Sequence, residues 1–179
     1  MLFWIWAGIV FVLDQSTKIL ALRFLAHQKD INIIPSCLKL HYTTNMGGAF
    51  SLMTDHPHIL TIISCLALGI LFVWFLSTRK EEKWTRLAIG LVFGGALGNL
   101  FDRFFRPDGV IDFILAHWQN KYHWPVFNFA DASICVGIFI LILLSIKPEK
   151  KALEVAVKPD TNSLSDESNH NHSDSPSNK

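Results

Sequence analysis

The sequence predicts a mainly α membrane protein with four transmembrane helices and short extended segments outside the lipid. Half of its 179 residues are hydrophobic and only 17% are charged, against about 25% charged in ordinary soluble domains. The ionic residues also crowd to one end, since six of the 15 acids (Glu149, Glu154, Asp160, Asp166, Glu167 and Asp174) follow Lys147. Finally, Ile59 to Leu76 carries no charge at all. At 1.5 Å per residue that stretch is about 27 Å long, close to the hydrocarbon thickness of a bilayer. A net charge of +1 excludes a nucleic-acid binder, which needs a basic stripe against the phosphates.

The first span covers about residues 1–26 and contains Asp14 and Lys18. It lacks the basic leader and the Ala-x-Ala site of a cleavable signal peptide and is expected to be a permanent helix. The second span covers about 58–78 and the third about 85–103. The fourth covers about 127–146 and stops at Lys147-Pro148. Arg79, Lys80, Lys83 and Arg86 crowd the short loop between the second and third spans, and Lys147, Lys150 and Lys151 follow the fourth. The positive-inside rule places that loop and both termini in the cytoplasm, with Trp74 and Trp84 as interface anchors. Regions of about 29–57 and 104–125 then lie on the outer face. Within them Asn32–Pro35 and Leu38–Thr43 alternate as two short strands, and Val110–His117 reads as a strand or a short amphipathic helix. Residues 147–179 are rich in Ser, Asn, His and Asp and are expected to be a disordered tail.

Ionisable groups in a span cost roughly 2.5–3.5 kcal/mol at its centre, so each is a functional candidate. Asp14, Asp102, Asp112 and Asp131 all fall near the same outer surface in this topology. Asp14 and Lys18 are four apart and suit a helical ion pair, and Asp102 has Arg103 beside it. Asp112 and Asp131 have apolar neighbours and no adjacent basic partner. Two carboxylates in a low-dielectric site share a proton, so one can activate water while the other protonates a leaving amine. That is aspartic-protease chemistry.

Other constellations are weaker. His56-Pro57-His58 and His170-Asn171-His172 lack the spacing and the third ligand of a zinc site, and no Gly-x-Ser-x-Gly nucleophile occurs. Cys65 and Cys135 are expected to be buried within spans, with Cys37 a free thiol outside. Gly90, Gly94, Gly95 and Gly98 suit close helix packing.

Five stretches in order resemble the bacterial lipoprotein signal peptidases, or signal peptidase II. They are Asp14-Gln15-Ser16-Thr17-Lys18, Asn45-Met46-Gly47-Gly48-Ala49-Phe50, Gly94 through Arg103, Val110-Ile111-Asp112-Phe113 and Phe127-Asn128-Phe129-Ala130-Asp131. The resemblance covers about Met1 to Ile146. It implies a four-helix inner-membrane aspartic protease (residues 1–146) with a small extracytoplasmic β-cradle and a short periplasmic helix or loop. Such an enzyme removes the signal peptide of prolipoproteins just before a cysteine bearing diacylglycerol. The resemblance places the catalytic pair on Asp112 and Asp131. The supporting or substrate-binding residues fall on Asp14, Lys18, Asn45, Gly47, Asn99, Asp102, Arg103, Asn128 and Ala130. The small residues around Gly47 and Gly94–Gly98 are expected to let the substrate backbone approach. No metal or cofactor is expected. The partners are lipidated prolipoproteins and membrane lipids, and the protein is expected to be a monomer. The alternative reading is a small ion-coupled transporter with a proton relay of intramembrane acids. Acids gathered at one face, and no inverted repeat, count against it.

Overall fold

A computed structural model of the chain describes residues 1–47, 57–119 and 121–146. The tail 147–179 and the motif residues Gly48, Ala49 and Phe50 lie outside the described residues, as does His56. Among the described residues, four long helices and four strands follow in the order α1 (Leu2–Phe24), β1 (Ile31–Ile34), β2 (Leu38–Asn45), α2 (Pro57–Ser77), α3 (Lys83–Phe105), β3 (Val110–Trp118), β4 (Tyr122–His123) and α4 (Phe129–Ile146). All four helices are long and apolar enough to cross a membrane. Met1–Leu144 forms one compact unit, and of the second unit only Ser145 and Ile146 are described, as the end of α4.

The helices form because apolar runs of this length leave the backbone no water to bond, so every N–H must find its partner within the helix. Large apolar side chains such as Ile62, Leu66, Ile70, Val73, Phe139 and Ile142 face outward, as lipid contact requires. Cys65 shares this outward exposure, and Cys135 is exposed too, on the wall of a cavity at the start of α4. This corrects their expected burial: neither thiol is packed into the protein interior. Cys37 is exposed as expected.

Helix α3 is the most enclosed of the four, and its small residues explain why. A Cβ on Gly90 would lie 2.8 Å from the Phe3 carbonyl oxygen, and one on Gly94 would lie 2.7 Å from that of Ala7. One on Gly98 would run into the Asp14 carboxylate. The other flank of α3 meets α4, where a Cβ on Gly95 would lie 2.5 Å from the Ala130 carbonyl oxygen. The stripe is therefore filled by α1 and α4. It is not open to a substrate backbone, which corrects that part of the expectation.

Phe3, Phe75 and Ile89 close one end of the bundle, the Phe3 and Phe75 rings stacking at 3.8 Å. The Arg86 guanidinium sits 4.5 Å over Phe75 and donates to the Thr78 carbonyl, clasping the α2–α3 hairpin. At the opposite end lies an antiparallel sheet in the order β1-β2-β3-β4. Its register pairs Lys39 with Leu115 and Thr43 with Asp112, with an irregularity between Leu40 and Thr43. Ile111 and Phe113 of β3 pack on Ala21 and Leu25 at the end of α1, with Leu40 and Tyr42 alongside. One sheet face thus docks on the bundle, and alternation aims Asp112 the other way. The segment Val110–His117 is strand, which resolves the two options its sequence left.

Candidate active site

The site is built where α3, β3 and the start of α4 converge. Asn128 is the N-cap of α4: its Oδ1 accepts the Asp131 N–H at 3.0 Å, while Asp131 Oδ2 accepts the Asn128 N–H at 3.1 Å. This reciprocal capping box satisfies two otherwise unpaired backbone donors. It also fixes Asp131 in the first turn, where the helix dipole suits a carboxylate. A third donor of that turn, the Ala130 N–H, goes to Asp14 Oδ1 at 3.0 Å. Ala130 enters the site by its backbone, and its fully buried methyl packs where little else fits.

The Asn128 side-chain amide reaches Asp112 Oδ1 at 2.7 Å, Asn99 Oδ1 at 3.0 Å and the Ile111 carbonyl at 3.2 Å. The Asn99 amide donates to Asp131 Oδ1 at 2.8 Å. The Asn45 amide donates to Asp112 Oδ2 at 3.1 Å, and Asn45 Oδ1 accepts the Gly47 N–H at 3.0 Å. Each carboxylate is therefore held at both oxygens by amide donors, and Asn128 touches both acids.

Beneath this layer lies Lys18, fully buried between α1 and α3. Its ammonium has three hydrogens and three acceptors: Asp14 Oδ2 at 2.9 Å, Asp102 Oδ2 at 2.9 Å and Asn99 Oδ1 at 2.8 Å. Because Lys18 can only donate, Asn99 must turn its carbonyl toward it, and this points the Asn99 amide at Asp131. The expected Asp14–Lys18 pair is present. The ionic partners of Asp102 are Lys18 and Arg106, whose Nε lies 3.0 Å away, rather than the adjacent Arg103. Successive residues on a helix point about 100° apart, whereas residues four apart share a face.

Arg103 instead lines a cavity of about 300 Å³ together with Asn45, Asn99, Asp112 and Asp131. Val110, Phe127 and Ile134 give that cavity an apolar wall. Asp112, on β3, is 3% exposed. Burial above all pushes its carboxyl up to about 6; the nearby Asp131 carboxylate adds to the rise, and the amides of Asn45 and Asn128 oppose it. A buried acid with a raised pKa beside a second carboxylate is the electrostatic pattern of a proton-sharing pair. No group of three or more His, Cys, Asp or Glu able to hold a metal ion occurs among the described residues.

Ten of the eleven residues singled out from the sequence are linked here by hydrogen bonds or ion pairs, and the eleventh, Arg103, lines the same cavity. Three contributors were missed. Gln15 reaches Asp14 Oδ2, the Gly98 carbonyl and Asp102 Oδ1 at 3.1–3.2 Å. Arg106 and the Ile111 N–H both bond Asp102. Arg106 was legible as the residue four beyond Asp102, and Gln15 as a polar neighbour of Asp14 inside an apolar run. The Ile111 N–H has no side-chain signature.

Comparisons with known proteins supply the family. The family model described as "Signal peptidase (SPase) II" matches residues 6–147. A "Lipoprotein signal peptidase" of Pseudomonas aeruginosa (strain UCBPP-PA14) is 39% identical over 158 residues, covering 86% of this chain and 92% of the relative. One from Geobacter sulfurreducens is 40% identical over 143 residues, covering 78% and 88%. A solved structure described as a bacterial membrane enzyme at 1.9 Å resolution superposes with a TM-score of 0.71 at 29% identity, covering 81% of this chain and 92% of that one. With the family model spanning most of the chain and relatives near 40% identity over nearly their full length, the protein belongs to the signal peptidase II family.

Proposed function

We infer that the chain is an aspartic endopeptidase that removes signal peptides from diacylglyceryl-modified prolipoproteins, cutting just before the lipidated cysteine. The observation that carries this reading is the pairing of Asp112 and Asp131 in one cavity, each held at both oxygens by amide donors. The raised carboxyl of Asp112 suits the general acid. Asp131 then serves as the base: it takes a proton from water, and the water attacks the scissile carbonyl. Asp112 gives its proton to the developing oxyanion; as the C–N bond then breaks, Asp131 passes the proton it took from water to the departing amine nitrogen and Asp112 takes back a hydroxyl proton from the tetrahedral carbon. Arg103 and Asn45, at the cavity wall, are donors suited to holding the peptide. Gly47 positions Asn45, while Asp14, Lys18, Asp102, Asn99, Asn128 and Ala130 hold the acids in place.

Residues 1–146 constitute the protease domain and 147–179 a cytoplasmic tail. The basic loop between α2 and α3 lies in the cytoplasm, which puts the sheet and the dyad at the outer face of the inner membrane. The protein acts as a monomer, since one chain supplies both acids and all of their donors. Membrane lipids surround α2 and α4. Nothing among the relatives or in the site supports the transport reading.

Purified protein incubated with a diacylglyceryl-modified precursor should release a product whose N-terminal residue is the lipidated cysteine, read by mass spectrometry. The same precursor without lipid should remain uncut. Equal cleavage of both would overturn the lipoprotein reading. For topology, a reporter active only outside the cytoplasm should be active when fused after Gln119 and silent after Lys83; the reverse pattern would invert the assignment.

A further inference from the structure

Asp112 lies on a second, larger cavity of about 520 Å³ on the sheet side. This cavity shares Asn45 and the Trp124–Val126 wall with the dyad cavity, so the two meet at Asp112. Their linings differ. Val110, Phe127 and Ile134 make the dyad cavity apolar on one side, whereas His41, Thr43, Thr44 and His123 make the second polar. Along β2, Thr43 pairs with Asp112 and Asn45 with Val110, while Lys39 pairs with Leu115 beyond the irregularity between Leu40 and Thr43. Asn45 bonds Asp112, and His41 gives its Nδ1 to Asp30 at 2.7 Å. Asp30 also pairs with Lys39 at 2.8 Å, so one carboxylate serves two basic groups. Among the described residues, Asp112 is the only carboxylate lining the cavity.

A precursor cut at this dyad has an apolar arm, the signal peptide, and a water-soluble arm, the mature chain. The apolar cavity among the helices suits the first. We propose that the cavity bounded by His41, Thr43 and His123 is the subsite for the first residues of the mature chain. We further propose that His41 and His123, with Lys39 behind them, make it select an acidic residue over a basic one. This rests on the peptidase reading above. The four residues from Asn45 to His41 span about 13 Å of extended strand, so a peptide running alongside brings its second to fourth residue after the cysteine to the histidines.

The test uses precursors identical in signal peptide and lipid, with Asp, Ser or Lys at the third position after the cysteine. Full-length wild-type enzyme should favour Asp over Lys in kcat/KM by roughly three- to fivefold, the factor expected for partly exposed charge contacts. In the His41→Gln/His123→Gln variant the Asp/Lys ratio should fall toward one. A photo-reactive residue at the same position should cross-link to Thr43 or His123, a readout that needs no variant to fold. Equal rates for all three precursors with wild-type enzyme, a preference that survives in the double variant, or cross-links confined to α2 or α4 would each overturn the subsite. Failure to cut any lipidated precursor would instead overturn the peptidase reading on which the subsite rests.

Discussion

Replacing Lys18 by Met keeps an unbranched side chain of nearly the same bulk and removes its ammonium. Lys18 is buried and binds two buried carboxylates, each at 2.9 Å. Asp102 retains Arg106, Gln15 and the Ile111 N–H. Asp14 retains only the Ala130 N–H and Gln15, neither of them charged. Breaking a buried ion pair from one side costs about 3–5 kcal/mol, because the remaining charge is left without compensation. For a chain of this size that lowers the melting temperature by roughly 6–20 °C. Adding Asp14→Asn to Lys18→Met removes the orphaned charge while keeping an oxygen for the Ala130 N–H. The double variant should therefore melt above Lys18→Met alone. Both should lose turnover, since Asn99 no longer has the donor that sets its orientation. Thermal unfolding of wild type and the two variants in one detergent checks this. A Lys18→Met protein melting within about 2 °C of wild type, or a double variant melting no higher than the single, would refute the argument.

Asn128 joins a cap to a donor, and two substitutions separate these roles. Asn128→Ala should cost about 0.5–2 kcal/mol in stability through the lost cap and lower kcat by on the order of a hundredfold or more. Asn128→Ser keeps a capping oxygen but loses the amide that reaches Asp112, so melting should recover while activity does not. With the Asp112 carboxyl at about 6, the acid form prevails below that pH and is lost above it. The kcat/KM of the free enzyme should therefore fall about tenfold per pH unit above pH 6; a profile flat to pH 8 would remove Asp112 as the acid. Gly98→Ala drives a methyl into the Asp14 carboxylate and should cost about 1–3 kcal/mol. Gly69→Ala meets nothing within 4 Å and should melt no lower than wild type.

The helices were legible because a membrane span needs length and apolarity, both one-dimensional properties. Asp112 and Asp131 stood out for the same reason, as charges in apolar company. The partners of the acids were harder to read. Arg103 is adjacent to Asp102 in sequence, yet helical geometry gives Asp102 to Arg106 and leaves Arg103 at the dyad cavity. The orientation of Asn99 depends on Lys18, 81 residues away, and no local pattern encodes a contact between two helices. The exposure of Cys65 and Cys135 was equally hidden, because an apolar helix gives little sign of which face is packed and which is left open. The Asn128–Asp131 capping box was the exception. Its i,i+3 spacing is written in the sequence, and it predicts both where α4 begins and where one acid points.

The central claim is that Asp112 and Asp131 perform the cleavage together, and one measurement addresses it directly. Single-turnover cleavage of a diacylglyceryl-modified prolipoprotein should be compared for wild type, Asp112→Asn and Asp131→Asn, each shown by thermal unfolding to be folded in the same detergent. An amide can neither take nor give the required proton, so both variants should fall to background. Wild-type cleavage should persist in the presence of a metal chelator and a serine-directed reagent. Near wild-type cleavage by either folded variant, or loss of wild-type activity to the chelator or the serine reagent, would contradict the account.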